Sequence, residues 1–234
     1  MRLLVLLLLA GCAGPTRPTP PPTQVDLRPA LERLGLPPRA QGPRPTCSIF
    51  TTCSAIEFAL AHCEPRPVRM SPEFLNWAAN QCSHDNQDGD FFHQALAGFE
   101  REGLCSEARE PYAVAWDPAG EPPPAALEEA HALRERARSR IAVHWIVPWV
   151  PNRFGLSAEQ FAQVKRVLAS GWPVAAGAGH SRLLVGYRDD PAAEGGGVFT
   201  TCDSALAAWS EVSYRFVRED VADVFWVEGR PAAR

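Results

Sequence analysis

Two distant segments constrain this chain most: Gln41-Gly-Pro-Arg-Pro-Thr-Cys47-Ser-Ile-Phe50 and Gly179-His180-Ser-Arg-Leu-Leu-Val-Gly-Tyr187. After Cys47, the positions Phe50, Cys53, Ile56-Glu57 and Leu60 recur at spacings of three and four, the period of a helix. Pro45 and Thr46 stand just ahead, so the spacing predicts a helix that begins at Cys47 and runs to Ala61. A cysteine is a strong nucleophile only as a thiolate, and the positive end of a helix together with a neighbouring imidazole favours that form. His180, opening an apolar strand, is the candidate imidazole. The chain must therefore fold so that a helix start and a strand start, far apart in sequence, meet.

The remaining pattern divides into a helix-rich half and a strand-rich half. Residues 125–140 read as a charged, Ala-rich helix with a solvated face. Ser157-Ala-Glu-Gln160 is a capping-box pattern that opens a helix ending near Gly171. Residues 174–177, 182–187, 198–202 and 214–217 read as strands, and residues 188–197 as a hairpin loop. The run His84-Asp-Asn-Gln-Asp-Gly-Asp90 has the look of a calcium loop, but His84 and Ala95 stand where that loop needs Asp and Glu. We read it as a polar turn lining a cleft. The other histidines lack metal-ligand spacing, so neither a metal nor a cofactor is expected.

This set resembles the papain-like cysteine peptidases over roughly residues 39 to 217. Gln41, Cys47, Phe50 and Glu57 fall at matching positions, Met70-Ser-Pro-Glu-Phe-Leu75 is similar to the start of the family's second helix, and the Trp209 and Tyr214 spacing follows the family's pattern beyond the catalytic His. The resemblance implies an α+β, two-lobe fold: a helical N-terminal lobe, an antiparallel sheet or barrel as C-terminal lobe, and the active-site cleft between them. It also implies roles. Cys47 is the nucleophile, His180 the base and Gln41 part of the oxyanion hole, while Asp203 stands where the family has Asn. Asp189 or Asp190 is the alternative for that third position. Gly89 and Asp90 match the substrate-binding Gly-Gly turn, and Ser181 matches a residue lining the specificity pocket. Several positions depart from the family: Ser48 for an aromatic residue, Ala205 for a Trp, and Arg44 for a Cys that commonly forms a disulfide. The implied activity is peptide-bond hydrolysis. A catalytically inactive peptide-binding protein and an acyltransferase or amidase using the same residues are the alternatives.

At its start the chain has Met1-Arg2 followed by an apolar run to Ala10, too short to span a bilayer, which takes about 20 residues. Leu9-Ala10-Gly11-Cys12 resembles a bacterial lipobox. The expected organisation is a signal peptide over residues 1–11, lipidated Cys12 with a Pro/Thr-rich tether to residue 38, and a catalytic domain over 39–230. That implies export and lipid anchorage to the bacterial membrane, at the periplasmic face or the cell surface. A net charge of −4 with no basic cluster argues against nucleic-acid binding. The expected partners are a peptide or protein substrate and the membrane, with the chain itself a monomer. Setting aside Cys12 and Cys47, the cysteines are Cys53, Cys63, Cys82, Cys105 and Cys202; export favours pairing, and Cys63 and Cys82 are candidates.

Overall fold

The computed structural model describes residues 21–63 and 68–230. The expected signal peptide and lipidated Cys12 lie outside the described residues. In chain order the elements are β1 (Gln24–Asp26), α1 (Arg28–Arg33), α2 (Cys47–Ala61), α3 (Pro72–Ser83), α4 (Phe92–Glu102), α5 (Pro124–Ala137) and β2 (Ile141–Val147). There follow α6 (Ala158–Ala169), β3 (Val174–Gly177), β4 (Arg182–Asp189), β5 (Gly197–Asp203), β6 (Ala208–Ser213), α7 (Tyr214–Glu219) and β7 (Asp223–Gly229). The strands form one antiparallel sheet in the order β2-β7-β3-β4-β5-β6, with β1 added on β4. The sheet stays open, with β2 and β6 at its edges, so no barrel closes.

The alternation of strand side chains builds two cores on opposite faces of the sheet. Ala175, Leu183, Val185, Phe225 and Val227 face the helical half, where Ile49, Phe58 and Leu75 meet them. Val174, Leu184 and Val224 face the other way, onto Phe161, Val164 and Leu168 of α6. Helix α2 runs against the first core and is buried nearly all round, from Ser48 to Leu60. Its one carboxylate, Glu57, is only 2% exposed and accepts hydrogen bonds from Arg39 at 2.8 Å and from the Met70 N–H at 2.7 Å. Those bonds offset the cost of burying the charge.

Several expectations are met residue for residue. The helix from Cys47 to Ala61 is present, and Ser157 and Gln160 form the reciprocal capping box that opens α6. Others need correction. Residues 214–217 form α7 rather than a strand: the Ser213 hydroxyl accepts the Phe216 N–H at 3.1 Å and caps a helix. Tyr214 then packs its ring on Phe161 and Phe199. Helix α5 is less solvated than expected, with Ala126, Ala130, Leu133 and Ala137 buried in a helical stripe.

The domain also begins earlier than residue 39. Within the stretch assigned to the tether, β1 pairs with β4, and Leu31 and Leu36 are buried. A Cβ on Gly186 would lie 2.4 Å from the Val25 carbonyl, so this glycine is what lets β1 approach β4. Cys63 and Cys82, the candidate bridge members, are in no disulfide. Cys82 is a free thiol at the end of α3, while the Cys63 sulfur is turned toward the carbonyls of Ala59 and Arg140, at 3.4 and 3.3 Å.

Candidate active site

Cys47 is the first residue of α2, and the loop from Gln41 to Thr46 sets where that helix starts. Arg44 anchors the loop. It is 4% exposed, pairs with Glu73 at 2.5 Å and Asp88 at 2.8 Å, donates to the Ala113 carbonyl and lies over the Tyr112 ring. A buried ion cluster thus ties the 41–46 loop to α3 and to the 84–90 turn. The turn itself is held close: Gly89 has φ of 86°, and a Cβ there would sit 2.2 Å from the Pro45 carbonyl oxygen. The Ser48 hydroxyl donates to the Asp90 carbonyl.

From the sheet side, the β3–β4 connection delivers His180 and Ser181. The Ser181 backbone N–H donates to the Cys47 sulfur at 3.4 Å. His180 donates from Nε2 to Asp203 Oδ1 at 2.8 Å, which leaves Nδ1 for the Cys47 side. Burial pushes the Cys47 thiol up, but hydrogen bonds from His180 and Ser181 outweigh burial and leave its pKa lowered. The His180 pKa is raised, first by its hydrogen bond with Cys47 and then, against burial, by Asp203. Both shifts favour the thiolate–imidazolium pair.

Asp203 ends β5, is 1% exposed, and has both oxygens occupied. Oδ1 takes His180 and the Ala205 and Leu206 N–H groups, while Oδ2 takes Arg182 Nε at 2.8 Å and the Ser210 hydroxyl at 3.3 Å. Burial alone would raise its pKa; the His180 and Arg182 hydrogen bonds instead hold it down to about 2. The alternatives lie elsewhere: Asp189 binds Lys165 and Tyr214, and Asp190 binds Arg188.

Gln41 is buried and clamped by four hydrogen bonds. Its Oε1 accepts from the Ser204 hydroxyl at 2.6 Å, and its Nε2 donates to the Arg44 carbonyl at 2.7 Å. Its N–H donates to the Ser204 carbonyl and its own carbonyl accepts from Tyr112. This fixes the amide with Nε2 toward the nucleophile loop and one N–H of that group still available. Cys47, Ser48, Gly89, Asp90 and Ser181 all line one cleft of about 650 Å³. Among the described residues, His180 thus meets Asp203, the Ser181 N–H meets Cys47, and Gln41 meets the loop that precedes Cys47. Three contributors were not anticipated. Arg182 and Ser210 share the Asp203 carboxylate, and Ser204 orients Gln41. None left a periodic signal: Arg182 opens β4 while His180 lies in the loop before it, so the two meet at Asp203 only in the folded chain.

Comparison by sequence finds no matching family model and no matching curated protein. Comparison of folds finds cysteine proteases. Xylellain from Xylella fastidiosa superposes with a TM-score of 0.67 at 16% identity, covering 89% of this chain and 87% of that one. Procathepsin L 3 from the midgut of Tenebrio molitor larvae gives 0.64 at 16% identity, over 90% of this chain and 71% of that one. The ragweed pollen protease Amb a 11, in its proform, gives 0.60 at 17% identity, over 92% and 67%. What is shared at such identities is the fold. The chain has the papain-like cysteine protease fold, its helices packed on an antiparallel sheet that stays open.

Proposed function

We propose that the protein is a cysteine peptidase using Cys47, His180 and Asp203. The observation that carries this reading is His180 held between a carboxylate at 2.8 Å and a thiol whose pKa is lowered by that same histidine. The Cys47 thiolate attacks the carbonyl carbon of a peptide bond, and the negative charge that develops on oxygen is met by the Cys47 N–H and the remaining Gln41 Nε2 N–H. The His180 imidazolium gives its proton to the leaving amine as the C–N bond breaks, leaving a thioester on Cys47. His180, now neutral, takes a proton from water as the water oxygen attacks the thioester. Cys47 leaves as thiolate and the acid product departs. Asp203 holds the imidazole ring in the orientation both steps require. Release of peptides from a casein substrate, lost in Cys47→Ser and His180→Ala proteins that remain folded, is the direct test; turnover retained in Cys47→Ser would sink the assignment.

The reading includes export and anchorage by a lipid on Cys12. Incorporation of labelled palmitate into the wild type but not into a Cys12→Ser protein checks this.

A further inference from the structure

We propose that the cleft beside Cys47 is selective for peptides carrying a Lys or Arg side chain, which Asp223 and Asp90 bind; this specificity rests on the peptidase reading for its biological use but not for its measurement. Asp223, the first residue of β7, plays no part in the chemistry above. It is 4% exposed and lines the cleft. Its carboxylate lies over Gly177, where a Cβ would come within 1.8 Å of Oδ1, three residues before His180. Among the described residues no side chain and no other residue's backbone donates to it. Asp223's own backbone N–H is its one donor, and Asp90 adds an unsatisfied acceptor: its Oδ1 accepts the Phe91 N–H at 2.7 Å, while Oδ2 is buried without a partner.

No Lys or Arg is among the described residues lining this cleft, whereas Asp85, Asp88, Asp90 and Asp223 are. Asp88 is already neutralised by Arg44. The rim is aromatic. Phe91 packs on Trp149 with ring centroids 4.9 Å apart, and Phe91 and Phe154 are 52% and 65% exposed. Aromatic faces leading to a buried carboxylate suit a long cationic side chain, whose stem lies on the rings while the charged head finds its counter-ion. Burial pushes the Asp223 carboxyl up to about 6, so it is largely ionised at neutral pH and gains a partner when a cation enters. An apolar substrate side chain would cover both carboxylates without giving either a counter-ion.

The test uses the Cys47→Ala protein, which binds without cleaving, and fluorescent Ala-based hexapeptides carrying a single Arg, Lys, norleucine or Glu at each position in turn. Anisotropy titration at pH 7.5 is expected to show one position at which Arg or Lys binds at least tenfold tighter than norleucine, with Glu weakest. Introducing Asp223→Asn is expected to remove most of that preference, and adding Asp90→Asn the remainder, in proteins verified as folded by circular dichroism. Equal binding of Arg and norleucine peptides at every position, or an Arg preference that survives both substitutions, would overturn the proposal. Turnover by the wild type is read separately. A cationic preference in a protein that neither cleaves nor alkylates refutes the peptidase and leaves the cleft's selectivity standing.

Discussion

Asp203 puts a full negative charge beside His180, and Arg182 compensates for it. An unpaired carboxylate would pull the His180 pKa far upward; Arg182, at 2.8 Å on the opposite oxygen, offsets part of that charge. The pH profile of kcat/KM is expected to be a bell, its acid limb below the ordinary cysteine range and its alkaline limb above the ordinary histidine value, both belonging to the coupled pair. Arg182→Met should move the alkaline limb up, and Asp203→Asn should move it down, each by about one pH unit. A profile unmoved by either change would reduce both residues to structural fillers. Asp223 gives a stability counterpart. Its folded-state pKa of about 6 lies above the ordinary carboxyl value of 3.8, so the folded protein binds more protons than the unfolded chain between those values. Stability attributable to this group is greatest below that window and falls as pH rises through it. Asp223→Asn is thus expected to raise the thermal midpoint at pH 7.5, even as basic-peptide binding is lost. Cys47, His180 and Asp203 were legible because their order and spacing are carried in the sequence. Ser204 was not, because its role depends on a contact with Gln41 across 163 residues.

At the scale of elements, the Arg44 cluster ties the 41–46 loop to α3 and to the 84–90 turn. Arg44→Met leaves Glu73 and Asp88 without their buried cation, and breaking such a pair costs about 3–5 kcal/mol. Urea unfolding should report a loss of that order, and a loss under about 1 kcal/mol would show that the cluster is no better than a surface pair. Gly89→Ala should also damage the cleft, since its Cβ would collide with the Pro45 carbonyl and its φ is left-handed. The reading of elements worked where one face is buried and a cap is explicit, as at Ser157. It fails for 214–217, where apolar residues suggest a strand and Ser213 instead caps a helix. Strand β7 was missed for a different reason. It lies between β2 and β3 and is buried on both faces, so its apolar run lacks the alternation that marks a half-buried strand.

Across the whole molecule, the N-terminal strap is part of the domain rather than a leash to it. β1 lies on β4, the strand that follows His180 and Ser181, and Leu27 donates its N–H to the Val185 carbonyl at 2.8 Å. Burying a Leu contributes roughly 1.5–3 kcal/mol, so a chain starting at residue 39 forfeits Leu31, Leu36 and the strand pairing together. Such a chain is expected to melt well below one starting at residue 21; equal melting temperatures would show that the strap is dispensable. The two-lobe plan was readable from the sequence because helices and strands separate along the chain. The strap was not, since three strand residues beside a Pro-rich stretch give no periodic signal and Gly186 receives them only in the folded state. The central claim is that this fold brings a distant histidine to activate Cys47. Treating the chain from residue 21 with an epoxysuccinyl inhibitor, and reading adducts by intact mass and peptide mapping, tests it most directly. The account predicts a single adduct on Cys47, absent in Cys47→Ala and strongly slowed in His180→Ala. A folded protein with a reduced Cys47 that takes up no inhibitor, or is alkylated equally fast without His180, would contradict it.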